Sequence, residues 1–171
     1  MKRKTAADKK DALISGLIEA RRNILEAASS LPPDQHDEVF LGIWSVRDLI
    51  AHLRGWDVTN QAAARDILAG TLPAFYEHYD RDWRTYNASL VKKHKRGDLA
   101  NLIESARRSH QILASFLRRM PPEELERDRG LRFKGYIVTI ARLLQAEIDD
   151  ERIHHQQIHD FARSSRQGTR A

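Results

Sequence analysis

Apolar positions along the chain return every three to four residues, the period of an α-helix packed on one face. From Thr5 to Ser30 the stripe is Leu13, Leu17, Ile24 and Ala28, and Thr5 with Asp8 has the spacing of a capping box. Paired prolines in "SLPPDQHDE" break this helix, since proline cannot continue one. A second stripe follows in "IWSVRDLIAHLRGWDVTNQAAARDILAG": Val46, Leu49, Leu53, Trp56, Ala63 and Ile67. Ser45 and Asp48 repeat the capping box, and Gly70 is a natural C-terminal stop. "TLPAFYEHYD" reads as an aromatic loop, and a shorter helix is predicted over Arg81 to Lys93 with Trp83, Tyr86 and Leu90 on one face. Gly97-Asp98 opens a helix from Leu99 to about Met120, which "MPPEEL" ends, its two carboxylates reading as a helix start after proline. Residues 126–135 read as a loop, and the last helix runs from about Tyr136 to Ala162. There is no internal repeat and no convincing strand. Four long helices and one short one predict an all-α helical bundle.

Length and composition narrow this further. At 171 residues the length prior is one domain spanning the chain, with basic, flexible ends at about 1–4 and 164–171. Cysteine is absent, which excludes disulfides, thiolate metal ligands and a cysteine nucleophile. In "MKRKTAADKKDALISGLIEARR" Lys9, Lys10 and Asp11 precede the apolar segment and Glu19 cuts it, so it is neither a signal peptide nor a membrane span. A cytoplasmic protein is the default expectation. The net charge of +5 permits an acidic partner, but much of the excess lies in the ends and in "KKHKRG" at 92–97, which read as solvated. With no recognition-helix pattern and no aromatic stacking platform, nucleic acid is not an expected partner.

The last helix changes the picture. At about 100° per residue, Ile140, Leu143, Leu144, Ile158 and Phe161 define its apolar face. Glu147, Glu151 and His154 fall inside that face, with Asp150 and His155 at its margins. Burying such groups unpaired is costly, so the bundle either opens into a wet pocket or holds positive charge here. Asp150 and His154 are four residues apart, with Cβ atoms about 6 Å apart on one helix face, and such a pair can reach one divalent ion. Glu151 and His155 share the spacing, and salt bridges with Arg152 and neighbouring helices are the other explanation. Among the remaining histidines, His36, His94 and His159 read as solvated and His78 as a candidate for a pocket mouth. His110 and His52 lie on or beside apolar stripes, as core histidines do.

"WSVRDLIAHLRGW" (44–56) resembles the second helix of the DinB/YfiT-like family, where a histidine follows a Trp-Ser-Val-x-Asp start. "DDERIHHQQI" (149–158) resembles its last-helix signature, and helix order, the Tyr86-Asn87 segment and length are also similar. The N-terminal half points to the branch that includes colibactin self-resistance. The resemblance implies metal ligands at His52, Asp150 and His154. It departs from the commonest pattern at Asp150, where most members carry histidine and the mycothiol-dependent isomerase branch a carboxylate. It further implies a divalent zinc, nickel, iron or manganese ion, with hydrolase or low-molecular-weight-thiol transferase activity on small electrophilic or toxic compounds. Dimers are common in similar bundles. Glu151, or Glu147, is then a candidate general base or a group behind the ligands, and Trp56, Tyr86, Asn87 and His110 are candidate cavity walls. Asp48 reads as a cap rather than as an orienting partner of His52. The alternative function is a non-catalytic bundle that sequesters a small molecule.

Overall fold

The computed structural model describes residues 4–168. Helix α1 (Ala6–Ser29) starts at the capping box of Thr5 and Asp8. A single 3₁₀ turn, Pro33–Gln35, and a small hairpin of β1 (Val39–Leu41) and β2 (Trp44–Ser45) lead into α2 (Val46–Leu68), capped by Ser45 and Asp48. Then follow α3 (Phe75–His94), α4 (Leu99–Arg119), a short α5 (Pro122–Glu126), a hairpin of β3 (Arg132–Phe133) and β4 (Tyr136–Ile137), and α6 (Ile140–Gly168). Helix α1 packs on α6 and α4, and α2 on α4, α6 and α3. The bundle core is therefore α1, α2, α4 and α6, with α3 laid against the outside of α2. Among the described residues no helix is long and apolar enough to cross a membrane.

Three boundaries differ from the sequence reading. Helix α3 begins at Phe75 rather than Arg81, because Phe75 and Tyr76 anchor its first turns in an aromatic cluster with Trp56, Tyr86 and Phe133. Its backbone breaks at Asp82, whose carboxylate accepts the Thr85 N–H at 3.1 Å and so caps the second segment. The segment expected to start the last helix is instead a hairpin: Lys134 and Gly135 both take positive φ, the twist a two-residue turn between strands requires. The helix also continues past Ala162, so residues 164–168 of the expected flexible end are helical. The rest of the expected basic ends, residues 1–3 and 169–171, lies outside the described residues.

The interior is layered. One apolar cluster holds Ile24, Leu49, Leu53, Leu102 and Ile158; the other holds Leu17, Ile67, Leu113, Leu117 and Leu144. Between them, at the same height on all four core helices, lie Arg21, Asp57, His110 and Glu151, all buried.

Candidate metal centre

The layer is organised by Arg21, 2% exposed. Its Nη1 donates to Asp57 Oδ2 at 2.8 Å, while its Nε and Nη2 donate to Glu151 Oε1 at 3.0 and 2.6 Å. Glu147 Oε1 stands 3.8 Å from Nη2, beyond a hydrogen bond. Asp57 Oδ1 also meets His110 Nδ1 at 3.0 Å. Burial pushes the Asp57 carboxyl up, but Arg21 and His110 outweigh it and hold the acid below its usual range. One guanidinium cannot neutralise three carboxylates. Burial, then the neighbouring Glu151, accordingly push Glu147 well above the ordinary carboxylate range.

Beside this layer, α2 and α6 bring His52, Asp150 and His154 together, with one ligand atom from each lying within 4.8 Å of the others. His52 is 3% exposed, its ring is held against Trp44 and Trp56, and its Nδ1 is buried without a hydrogen-bond partner. Burial, then the adjacent His154, push its pKa down to about 3, so it is a neutral imidazole with a lone pair to give. His154 Nδ1 is hydrogen-bonded to Gln157 Oε1 at 2.7 Å, and its Nε2 faces Asp150 Oδ2 at 3.3 Å. Burial alone would lower His154; the hydrogen bond and charge of Asp150 outweigh it, and the shift is upward. Burial would raise Asp150, but His154 outweighs it and the shift is downward. An orphaned buried imidazole, a second imidazole oriented by an amide and one carboxylate suit a divalent transition ion in their donor chemistry.

These residues line a cavity of about 900 Å³ between α2, α6, α3 and the first hairpin. Its walls are mostly apolar, including Trp44, Trp56, Phe75, Trp83 and Leu143. Ile43 and Ile153, 82% and 57% exposed, stand at the opening.

The alternative Glu151–His155 pair does not converge. Glu151 turns its Oε1 to Arg21 in the polar layer, and His155 lies 3.0 Å from His159 on the exposed side of α6. Arg152, expected among the partners of the inward acids, pairs instead with exposed Asp149 at 3.5 Å. Trp56 and Asn87 line the cavity, joined by a 3.1 Å hydrogen bond from the indole N–H to Asn87 Oδ1. Tyr86 stands behind Trp56 with its hydroxyl on Thr59, and His110 belongs to the polar layer, so neither lines the cavity. His78 stacks on Tyr86 away from the cavity lining. His94, expected in solvent, is 7% exposed against Gly55, where the missing side chain makes room. His36 bonds the Leu31 carbonyl at 3.0 Å. Asp48 is a cap, as expected, and also pairs with Lys95 at 2.8 Å.

The sequence reading missed Arg21, Asp57 and Asn60. Arg21 occupies a position of the first stripe, between Leu17 and Ile24, as Asp57 and Asn60 do between Trp56 and Ala63. Inward charge on those helices was the available signal.

Residues 17–158 match the DinB superfamily. The chain belongs to this superfamily. The structure of the colibactin self-resistance protein ClbS in complex with a dsDNA is similar in fold: TM-score 0.70, 16% identity, covering 88% of this chain and 93% of that one. An uncharacterised protein from Escherichia coli UTI89 is similar too, with a TM-score of 0.69, 12% identity and coverage of 92% and 94%. No curated protein sequence matches this DinB chain significantly. The all-α DinB-like bundle expected from the two helix motifs is the fold this chain has, and the likeness to ClbS agrees in fold with the branch its N-terminal half suggested.

Proposed function

We propose that this protein is a divalent-metal-dependent enzyme acting on small electrophilic or toxic compounds, as a hydrolase or a low-molecular-weight-thiol transferase. The observation behind this reading is the convergence of His52, Asp150 and His154 on the wall of a large apolar cavity. A divalent ion held there would supply a Lewis acid and lower the pKa of a bound water or thiol. His52 from α2 and Asp150 and His154 from α6 would hold it, and the Gln157 hydrogen bond fixes the His154 ring. Trp44 and Trp56 exclude water from the His52 side. Glu151 is better assigned as a positioning residue than as the base: its Oε1 is shared by two donors of Arg21, which fixes the turn of α6 carrying Asp150.

The test is metal content by mass spectrometry on untagged protein, beside His52→Ala and His154→Ala. About one equivalent in wild type, lost in both variants, supports the reading. No metal in wild type after incubation with zinc, nickel, iron or manganese would sink it and leave sequestration of a small molecule as the function of the cavity.

A second reading is DNA binding. Its support is the dsDNA in the ClbS structure and a basic corner where α3 meets α4: Lys92, Lys93 and Arg96, with Arg54 nearby. Burial, then Arg54, Lys93 and Arg96, lower the His94 pKa, so these cations act together on one spot. The absence of a nucleic-acid motif therefore does not exclude this partner. Affinity for a duplex that falls steeply between low and physiological salt would support it; no binding at low salt would end it.

A further inference from the structure

Two turns along the cavity from His52 and His154 there is a second polar place. On α2, Asn60 follows His52 and Trp56 at successive four-residue steps; on α6, Glu147 lies two turns before His154. At 1.5 Å per residue the separation along either helix is about 10–12 Å. Both residues line the cavity. Asn60 is 1% exposed and its amide lies near enough to Glu147 to favour that carboxylate's charged form, yet neither its nitrogen nor its oxygen makes a well-formed hydrogen bond with any described group.

A buried asparagine with both amide groups unmet is costly in a fold and is not a packing device. It offers one donor edge and one acceptor edge side by side, in a mostly apolar wall. Glu147 adds to this pattern. It is 8% exposed and too far from Arg21 to bond it, and burial beside Glu151 favours its neutral form. A neutral carboxyl also presents one donor and one acceptor.

We propose that Asn60 and Glu147 form the recognition end of the cavity and take the donor–acceptor edge of an amide-type group, a carboxamide, lactam or urea, on a planar and largely apolar substrate. Trp44, Trp56 and Phe75 supply the flat walls for its body. The reactive group then lies beside His52 and His154, about 10–12 Å along the helices from that edge, with Asp150 reaching in from the turn between. This assignment rests on the reading of the cavity as the substrate site, but not on the metal.

The test uses the full chain stripped of metal with a chelator, and two isosteric probes followed by calorimetry. 2-Naphthamide carries the donor–acceptor edge; 2-acetonaphthone replaces its NH₂ by CH₃ and keeps only the acceptor. Wild type is expected to prefer the amide by about tenfold or more, as sites built to hydrogen-bond reject analogues lacking the group. Asn60→Leu should bring the two affinities together by weakening the amide alone. Asn60→Ala, which removes both donor and acceptor without adding an ionisable group, should do the same if the leucine variant does not fold. Equal affinities in wild type, or a preference that survives both variants, overturn the assignment and leave the cavity reading standing. Failure of both probes to bind at millimolar concentration overturns the assignment and the cavity reading together, whatever the metal analysis finds.

Discussion

Arg21 ties α1 to α2 and α6, because two buried carboxylates, Asp57 and Glu151, are bonded to it. Truncating one partner of a buried ion network leaves uncompensated charge, at a cost of about 3–5 kcal/mol. Arg21→Met should therefore destabilise the protein by that order, read as a lower midpoint in urea with tryptophan fluorescence. Glu147 has the opposite sign of effect. Its folded pKa lies above the ordinary 4.5, so stability that is full below that value is lost as pH rises through the folded pKa. Glu147→Gln should thus gain melting temperature over wild type at pH 8 and show little difference near pH 4. An equal gain at both pH values would mean that burial, Glu151 and Asp57 do not hold the acid neutral against the opposing charge of Arg21.

The site is a register between α2 and α6. His52, Trp56 and Asn60 recur every four residues on one helix, and Glu147, Asp150 and His154 every three or four on the other, so two helix faces lay out candidate metal ligands, wall and polar end along the cavity. Helix α3 closes the far side, and Gly55 sets how closely it can lie. A Cβ at Gly55 would come within 2.7 Å of Leu90 Cβ, an atom attached directly to the α3 backbone. The helices would have to part. Gly55→Ala is expected to cost about 1–3 kcal/mol despite alanine's better helix propensity, and a thermal melt checks it. A neutral or stabilising result would show that α3 shifts freely on α2.

At the scale of the molecule, a polar layer separates two apolar clusters, and His52, Asp150 and His154 bridge α2 to α6 beside it. Anything that binds this arrangement and not the unfolded chain stabilises the whole fold. An ion at a hundredfold excess over its dissociation constant should add about 2.7 kcal/mol, seen as a rise in melting temperature with added metal. His52→Ala should abolish that rise; if it persists, the ion is bound elsewhere.

Much of this was legible in the chain. Helical period, capping boxes at Thr5 and Ser45 and the glycine and proline stops mark α1, α2 and α4 closely, because those signals are local and backbone chemistry acts on them directly. The inward placement of Glu147, Glu151 and His154 was equally legible from the face they share with Ile140 and Ile158. The family motifs named His52, a residue that periodicity alone assigns to the core edge. The start of α3 was not legible, since an aromatic cluster with Trp56 and Phe133 holds a segment whose own composition reads as loop. Nor was the hairpin before α6, a two-residue turn too short to stand out.

The sequence by itself determined the bundle, the helices that compose it and the inward acids and histidines of α6, because these follow from periodicity within one element. Only the tertiary structure decided which of those groups act together. Arg21 from α1 takes Glu151 out of contention, His52 from α2 selects Asp150 and His154, and Asn60 is left facing a cavity with its amide unmet. Pairing across helices depends on register and on which charge reaches which, and no one-helix pattern contains that.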